Sequence, residues 1–149
     1  MTGSFLIQKL LNSINTNEIR NNVKNVIKEE LEINLTDLQN EDLETLTASD
    51  GSTEVTHVFL EKWAYESAVK SGNYILLNKD LRKDVSSVYA SIGLANRQSD
   101  LLTKMHFTIN TTELELENFR LVRTAQINNL VGKHRELIPK MESLITQLS

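Results

Sequence analysis

Apolar residues recur at steps of three and four over most of the chain, a spacing that predicts helices rather than strands. The most regular run is Leu81, Val85, Val88, Ile92, Ala95, Ser99, Leu102, His106 and Ile109, with Tyr89 and Met105 widening the stripe. A second seam starts at Ile127 and continues through Val131, His134, Ile138, Met141, Ile145 and Leu148, with Leu130, Leu137 and Leu144 beside it. Phe119 and Val122 precede it on the same helix. A seam of this width is what a coiled-coil-like partner helix requires. Two such helices separated by Asn110-Thr111-Thr112 predict a long antiparallel hairpin over 78–109 and 112–148. Asn78 is placed to cap the first helix, and Thr112 with Glu115 forms a capping-box pattern for the second. Pro139 has no N–H to donate to Arg135, so a kink or restart is expected there.

Upstream the same periodicity predicts a first helix over 1–34, through Leu6, Leu10, Leu11, Ile14, Ile19, Val23, Val26, Ile27 and Leu31. Asn15-Thr16-Asn17 is an expected interruption, because these side chains compete for backbone hydrogen bonds; Thr16 is a candidate cap for a second segment. The pattern weakens over 35–55, which reads as an acidic loop. A short helix over 56–71 carries Phe59, Leu60, Trp63, Ala64 and Ala68, with Thr56 or a neighbour as its cap. Gly72 stands where a left-handed residue ends that helix, and Ile75-Leu76-Leu77 reads as a buried apolar crossing. The expectation is one all-α domain, a helical bundle built on the C-terminal antiparallel hairpin. Few helix breakers (five Gly, one Pro in 149 residues) agree with it.

Charge is uneven. Residues 1–55 hold four basic and ten acidic side chains and residues 56–149 twelve and ten, so the net of −4 arises in the first third. Glu29 to Glu54 contains nine carboxylates and no Lys or Arg, a solvated acidic stretch before a docking site for a basic partner. There is no cysteine, which removes disulfides, thiolate catalysis and Cys-ligated zinc. No apolar run approaches the ~18 residues of a membrane span. The Phe5-Leu6-Ile7 and Leu10-Leu11 cluster lacks the basic lead and cleavage site of a signal peptide.

Candidate chemistry is sparse. In a hairpin turning near Asn110, facing residue numbers sum to about 221. That places His106 near Glu115 and His134 near Ser87, too far apart to share a metal; no His-x-x-x-His or Glu-x-x-His motif occurs. No glycine-rich phosphate loop and no nucleophile elbow are present. Arg120, Arg123, Lys133 and Arg135 form a basic cluster diluted by Glu117 and Glu136, which reads as a solvated face and not a nucleic-acid surface. Trp63 and Tyr89 read as core anchors first and pocket residues second.

The run Glu30-Leu31-Glu32-Ile33-Asn34-Leu35 resembles the Glu-x-x-x-Asn-Leu helix of a widespread group of uncharacterised prokaryotic proteins, many of them archaeal. In that group a Trp or Tyr helix, a Ser-Gly turn, a Leu-rich step and a Leu/Tyr/Asn helix follow. This chain has Trp63, Tyr65, Glu66, Ser71, Gly72, Leu76, Leu77, Leu81, Tyr89, Ile92 and Asn96 in that order, so the resemblance spans roughly 28–100. It implies a helical module and brings no activity with it. The resembling helix often follows a membrane span, which this chain lacks; the alternatives are a soluble member or one in which residues 1–4 replace the span. On the shared residues, Asn34 is expected to cap the end of the first helix, and Glu30, Asn34 and Asn96 to tie that helix to the hairpin.

The functional expectation is a non-enzymatic protein–protein interaction or oligomerisation module, acting through its long hairpin, without metal or cofactor. It would reside in the cytoplasm, or at the membrane periphery by association or a missing tether. The alternative is a small-ligand sensing or effector domain, with interaction or pocket residues Trp63, Tyr65, Tyr89 and Asn96.

Overall fold

The structure, a computed structural model, describes residues 2–43, 58–105 and 112–149. Among these residues all regular structure is helical: α1 (Thr2–Asn40), α2 (Trp63–Lys70), a 3-10 turn (Asn73–Leu76), α3 (Lys79–Met105) and α4 (Glu113–Leu148). The fold is an all-α bundle. The two long C-terminal helices pack along each other most extensively, and α1 lies along α4, the 3-10 turn and α2. Glu41 just beyond α1 meets His134 of α4, whereas Arg20 reaches the carbonyl of Leu76. Thus α1 runs antiparallel to α4 and parallel to α3.

The seams fill one core. Leu81, Val85, Val88, Tyr89, Ile92, Ala95, Ser99 and Leu102 of α3 are buried, as are Ile127, Leu130, Val131, His134, Leu137, Met141, Leu144 and Leu148 of α4. Val23, Ile27, Leu31 and Leu38 of α1 join them. Each buried aliphatic side chain contributes roughly 1.5–3 kcal/mol, which makes this three-helix seam the dominant stabilising feature. The hairpin seams are therefore consumed within the chain. His106, Ile109 and Thr56 lie outside the described residues.

Several local expectations change. The first helix does not end at Asn34 but continues to Asn40, because Leu35 and Leu38 extend the core face of Leu31 by one more turn. Residues 35–40 of the acidic loop expected over 35–55 are thus helical, and 44–55 lie outside the described residues. Asn15-Thr16-Asn17 does not interrupt α1: the Thr16 hydroxyl donates back to the Asn12 carbonyl, 2.8 Å away, and caps nothing. The short helix begins at Trp63 and not near residue 56, so Phe59 and Leu60 belong to a non-helical segment. α4 runs through Pro139 without restarting. Ser87 borders Pro139, Lys140 and Ser143, so the hairpin register brings it past His134. Within the expected apolar crossing only Leu77 is buried, while Ile75 is exposed. With three residues per turn, Tyr74 and Leu77 share the inner face and Ile75 points out.

Other caps follow the sequence. Gly72 has φ 77°, the left-handed conformation that lets the chain leave α2 and enter the 3-10 turn without a Cβ clash. Asn78 Oδ1 accepts the Leu81 N–H at 2.8 Å. Glu115 accepts both the N–H and the hydroxyl of Thr112, and these bonds hold its carboxyl below the usual carboxylate range.

Candidate functional site

The non-helical segment 58–62 and the start of α2 lie between α1 and α3, with no strand to satisfy their backbone groups. Side chains do so instead. Asn34 of α1 accepts the Glu61 N–H at 2.7 Å and donates to the Glu61 carbonyl at 2.9 Å. Asn96 of α3 does the same to the neighbouring residue, accepting the Leu60 N–H at 2.8 Å and donating to the Leu60 carbonyl at 2.8 Å. A primary amide carries one donor and one acceptor side by side, so each Asn pairs with a residue as a neighbouring strand would. Glu41 accepts the Val58 N–H at 3.2 Å, and the Ser99 hydroxyl lies 3.4 Å from the Val58 carbonyl.

Glu30 completes the clamp. α2 opens at Lys62, which supplies no side-chain cap. The Glu30 carboxylate, from α1, accepts the Ala64 N–H at 2.7 Å and the Tyr65 N–H at 3.4 Å. These are donors that the first turn of a helix leaves unpaired, at the end where the helix dipole favours negative charge. Its Oε1 also accepts the Tyr89 hydroxyl at 2.7 Å. Glu30 is only 1% exposed, and a buried carboxylate is tolerable when it is this fully hydrogen-bonded. Ala64 and Ala68, one turn apart, let α2 approach closely enough for these bonds. Tyr65 stacks on Tyr89 with ring centroids 4.4 Å apart and meets Tyr74 edge-on at 5.4 Å. Burial, together with the Glu30 carboxylate, holds the Tyr89 phenol far above its ordinary range. Tyr74 is raised as well, mainly by burial, against its hydrogen bond with Ser86.

Glu30, Asn34 and Asn96 therefore all act on one object, the backbone of residues 60–65. No hydrogen bond joins the three to one another among the described residues; α1 is joined to the hairpin through the segment they grip. Asn34 is not a helix terminus but an interior residue of α1 that reads Glu61. Trp63 and Tyr89 are separated. Tyr89 is 1% exposed and covered by Tyr65, whereas Trp63 is 60% exposed and is no core anchor. The cause is register: Ala64 and Ala68 face the core, and the residue just before Ala64 points roughly 100° away from it. Sequence periodicity placed Ser99 in the seam but did not select Glu41, the hydrogen-bonding role of Ser99 or the role of Tyr65, since a backbone grip over tens of residues leaves no local spacing.

His134, expected beside Ser87, is fully buried with its Nδ1 2.5 Å from Glu41 Oε2. Its Nε2 has no hydrogen-bond partner among the described residues. Arg123 is buried too, so the basic cluster of α4 is not one solvated face. Among the described residues no group of three or more His, Asp or Glu is arranged to hold a metal ion. No helix there is long and apolar enough to cross a membrane.

The remaining exceptional surface is the N-terminal part of α1. Every residue from 4 to 15 is exposed, and that stretch contains Phe5, Leu6, Ile7, Leu10, Leu11 and Ile14, each between 53% and 68% accessible. Burial of α1 begins near Ile19 and Val23, so the helix overhangs the bundle by roughly 24 Å at 1.5 Å per residue. No family model, no curated protein and no solved structure matches the chain.

Proposed function

We propose that this chain is a non-enzymatic helical protein–protein interaction module whose docking surface is the apolar stripe on the overhanging start of α1. One observation carries the reading: six large apolar side chains within ten residues, all more than half exposed, on a helix whose remaining length is packed. Contiguous apolar surface of this kind marks interaction sites, whereas single exposed apolar residues do not. The hairpin seams, which motivated an interface through α3 and α4, are occupied by α1 and by each other. The clamp around residues 60–65 supports a scaffold role, because every oxygen of Glu30 is engaged by a backbone or phenol donor.

The test compares the whole chain with its Leu10→Glu/Ile14→Glu variant in self-association, partner capture and vesicle flotation. The reading requires the wild type to self-associate or to capture a protein partner, and the variant to lose that association while keeping its melting temperature; binding to vesicles alone overturns it. Identical behaviour of the two proteins in all three overturns it.

A further inference from the structure

Resting on that reading, we infer that the occupant of the stripe is a second copy of this chain, so that the module is a dimer joined through its α1 overhangs. Four observations point this way: the facing of the stripe, its pattern, its charge and its area.

At roughly 100° per residue, Leu6, Ile7, Leu10, Leu11 and Ile14 form one continuous arc, centred roughly 150° around the helix from the arc of Ile19, Val23, Ile27 and Leu31. The latter four face the core, with Val23, Ile27 and Leu31 buried and Ile19 partly so. The described bundle therefore lies behind the stripe, and a helix laid on the stripe meets none of the described residues of its own chain. Beyond Ile14 the same face carries Glu18, Asn21, Asn25, Lys28 and Glu32, which confines an apolar contact to the overhang.

Within the arc, Ile7, Leu10 and Ile14 take steps of three and four, with Leu6 and Leu11 flanking. Ile at the first heptad position and Leu at the fourth is the combination that favours two strands over three or four. The contact is short, so it suits a dimer of folded bundles rather than a free-standing coiled coil.

The rims of the stripe are neutral. Residues 2–17 contain Lys9 and no other ionisable side chain. Two copies meet there without like-charge repulsion, although the chain as a whole carries −4. The same feature argues against a bilayer, since helices that lie in a membrane interface carry a Lys- and Arg-rich polar face.

Each of the five aliphatics of the arc presents on the order of 100 Å², so two overhangs together bury roughly 1,000 Å², the floor for a biological interface and the size of a weak, reversible one.

Sedimentation velocity of the full chain from about 1 to 100 μM tests the inference. The expected result is a reversible monomer–dimer equilibrium, with Leu10→Glu/Ile14→Glu monomeric throughout and unchanged in thermal unfolding. Because these side chains touch nothing in the bundle, loss of folding is not an alternative explanation; Lys9→Glu, on the opposite face, controls for added charge and is expected to dimerise. A wild type that stays monomeric at 100 μM overturns the second-copy inference, as does a dimer that survives in the double variant. If the monomeric wild type floats with phosphatidylcholine–phosphatidylserine vesicles and the variant does not, the occupant is a membrane, and the dimer and the protein–protein reading both fall; if the monomeric wild type instead captures a protein partner that the variant does not, only the dimer falls. If neither protein self-associates, floats or captures a partner, both fall together.

Discussion

The two parts of α1 reverse the usual arrangement of apolar and polar residues. From Ile19 to Asn40 the helix buries a carboxylate and an amide, Glu30 and Asn34, among Val23, Ile27, Leu31 and Leu38. From residue 4 to 15 it exposes Phe5, Leu6, Ile7, Leu10, Leu11 and Ile14. One continuous helix thus buries two polar side chains among the apolar ones of its packed part and exposes six apolar side chains on its overhang. The difference is what lies opposite. The packed part faces a backbone segment with unpaired N–H and C=O groups, and polar side chains are the only ones that satisfy them. The overhang faces no element of the described chain, so its apolar stripe has nothing there to pack against.

The comparison breaks most severely at Glu30. Glu30→Ala leaves the Ala64 and Tyr65 N–H groups and the Tyr89 hydroxyl buried without an acceptor. A cost of about 3–5 kcal/mol is expected, as for removal of one partner from a buried charged network. Glu30→Gln keeps an acceptor oxygen and should lose less. Urea unfolding of both variants checks this, and equal, small losses would show that the carboxylate does not cap α2.

The next effect is at the paired amides. Asn34→Ala and Asn96→Ala each strip two hydrogen bonds from consecutive residues of one segment, with an expected loss of about 2 kcal/mol apiece. If the segment is held as a unit, a double-mutant cycle gives a coupling of about 0.5 kcal/mol or more, since the second substitution acts on a segment already released. Strict additivity would mean that α1 and α3 grip it independently.

A smaller effect appears only in alkali. Tyr89 has a folded-state pKa raised above its unfolded value of about 10. Its contribution is therefore fully present below that value and declines as pH rises from about 10 upward, by at most about 1.4 kcal/mol per pH unit. Tyr89→Phe should flatten this part of the alkaline limb while weakening the protein slightly at neutral pH. The smallest effect is at the stripe: Leu10→Glu/Ile14→Glu is expected to leave thermal stability of the monomer within about 0.5 kcal/mol, as surface substitutions do.

Much of the architecture was legible because it is periodic. The seams could be read from Leu81 to Leu102 in α3 and from Ile127 to Leu148 in α4, as could the Gly72 turn and the Asn78 cap, since each is a local rule about spacing, φ or a nearby donor. Trp63 misled for the same reason. Apolar spacing from Phe59 suggested a core position, but the helix starts at Trp63 itself, and the register set by Ala64 and Ala68 turns the indole outward. Glu30, Asn34 and Asn96 stood out in the chain only through a family resemblance, and their shared target did not.

By itself, then, the sequence determined the all-α class, the antiparallel hairpin and the presence of a strongly apolar stretch at the start of the first helix. Only the tertiary structure decided which apolar stripe remains unpaired and which polar residues go inside. Periodicity records that a face is apolar, not whether a partner lies opposite it. A side chain that hydrogen-bonds backbone thirty residues away leaves no spacing to read.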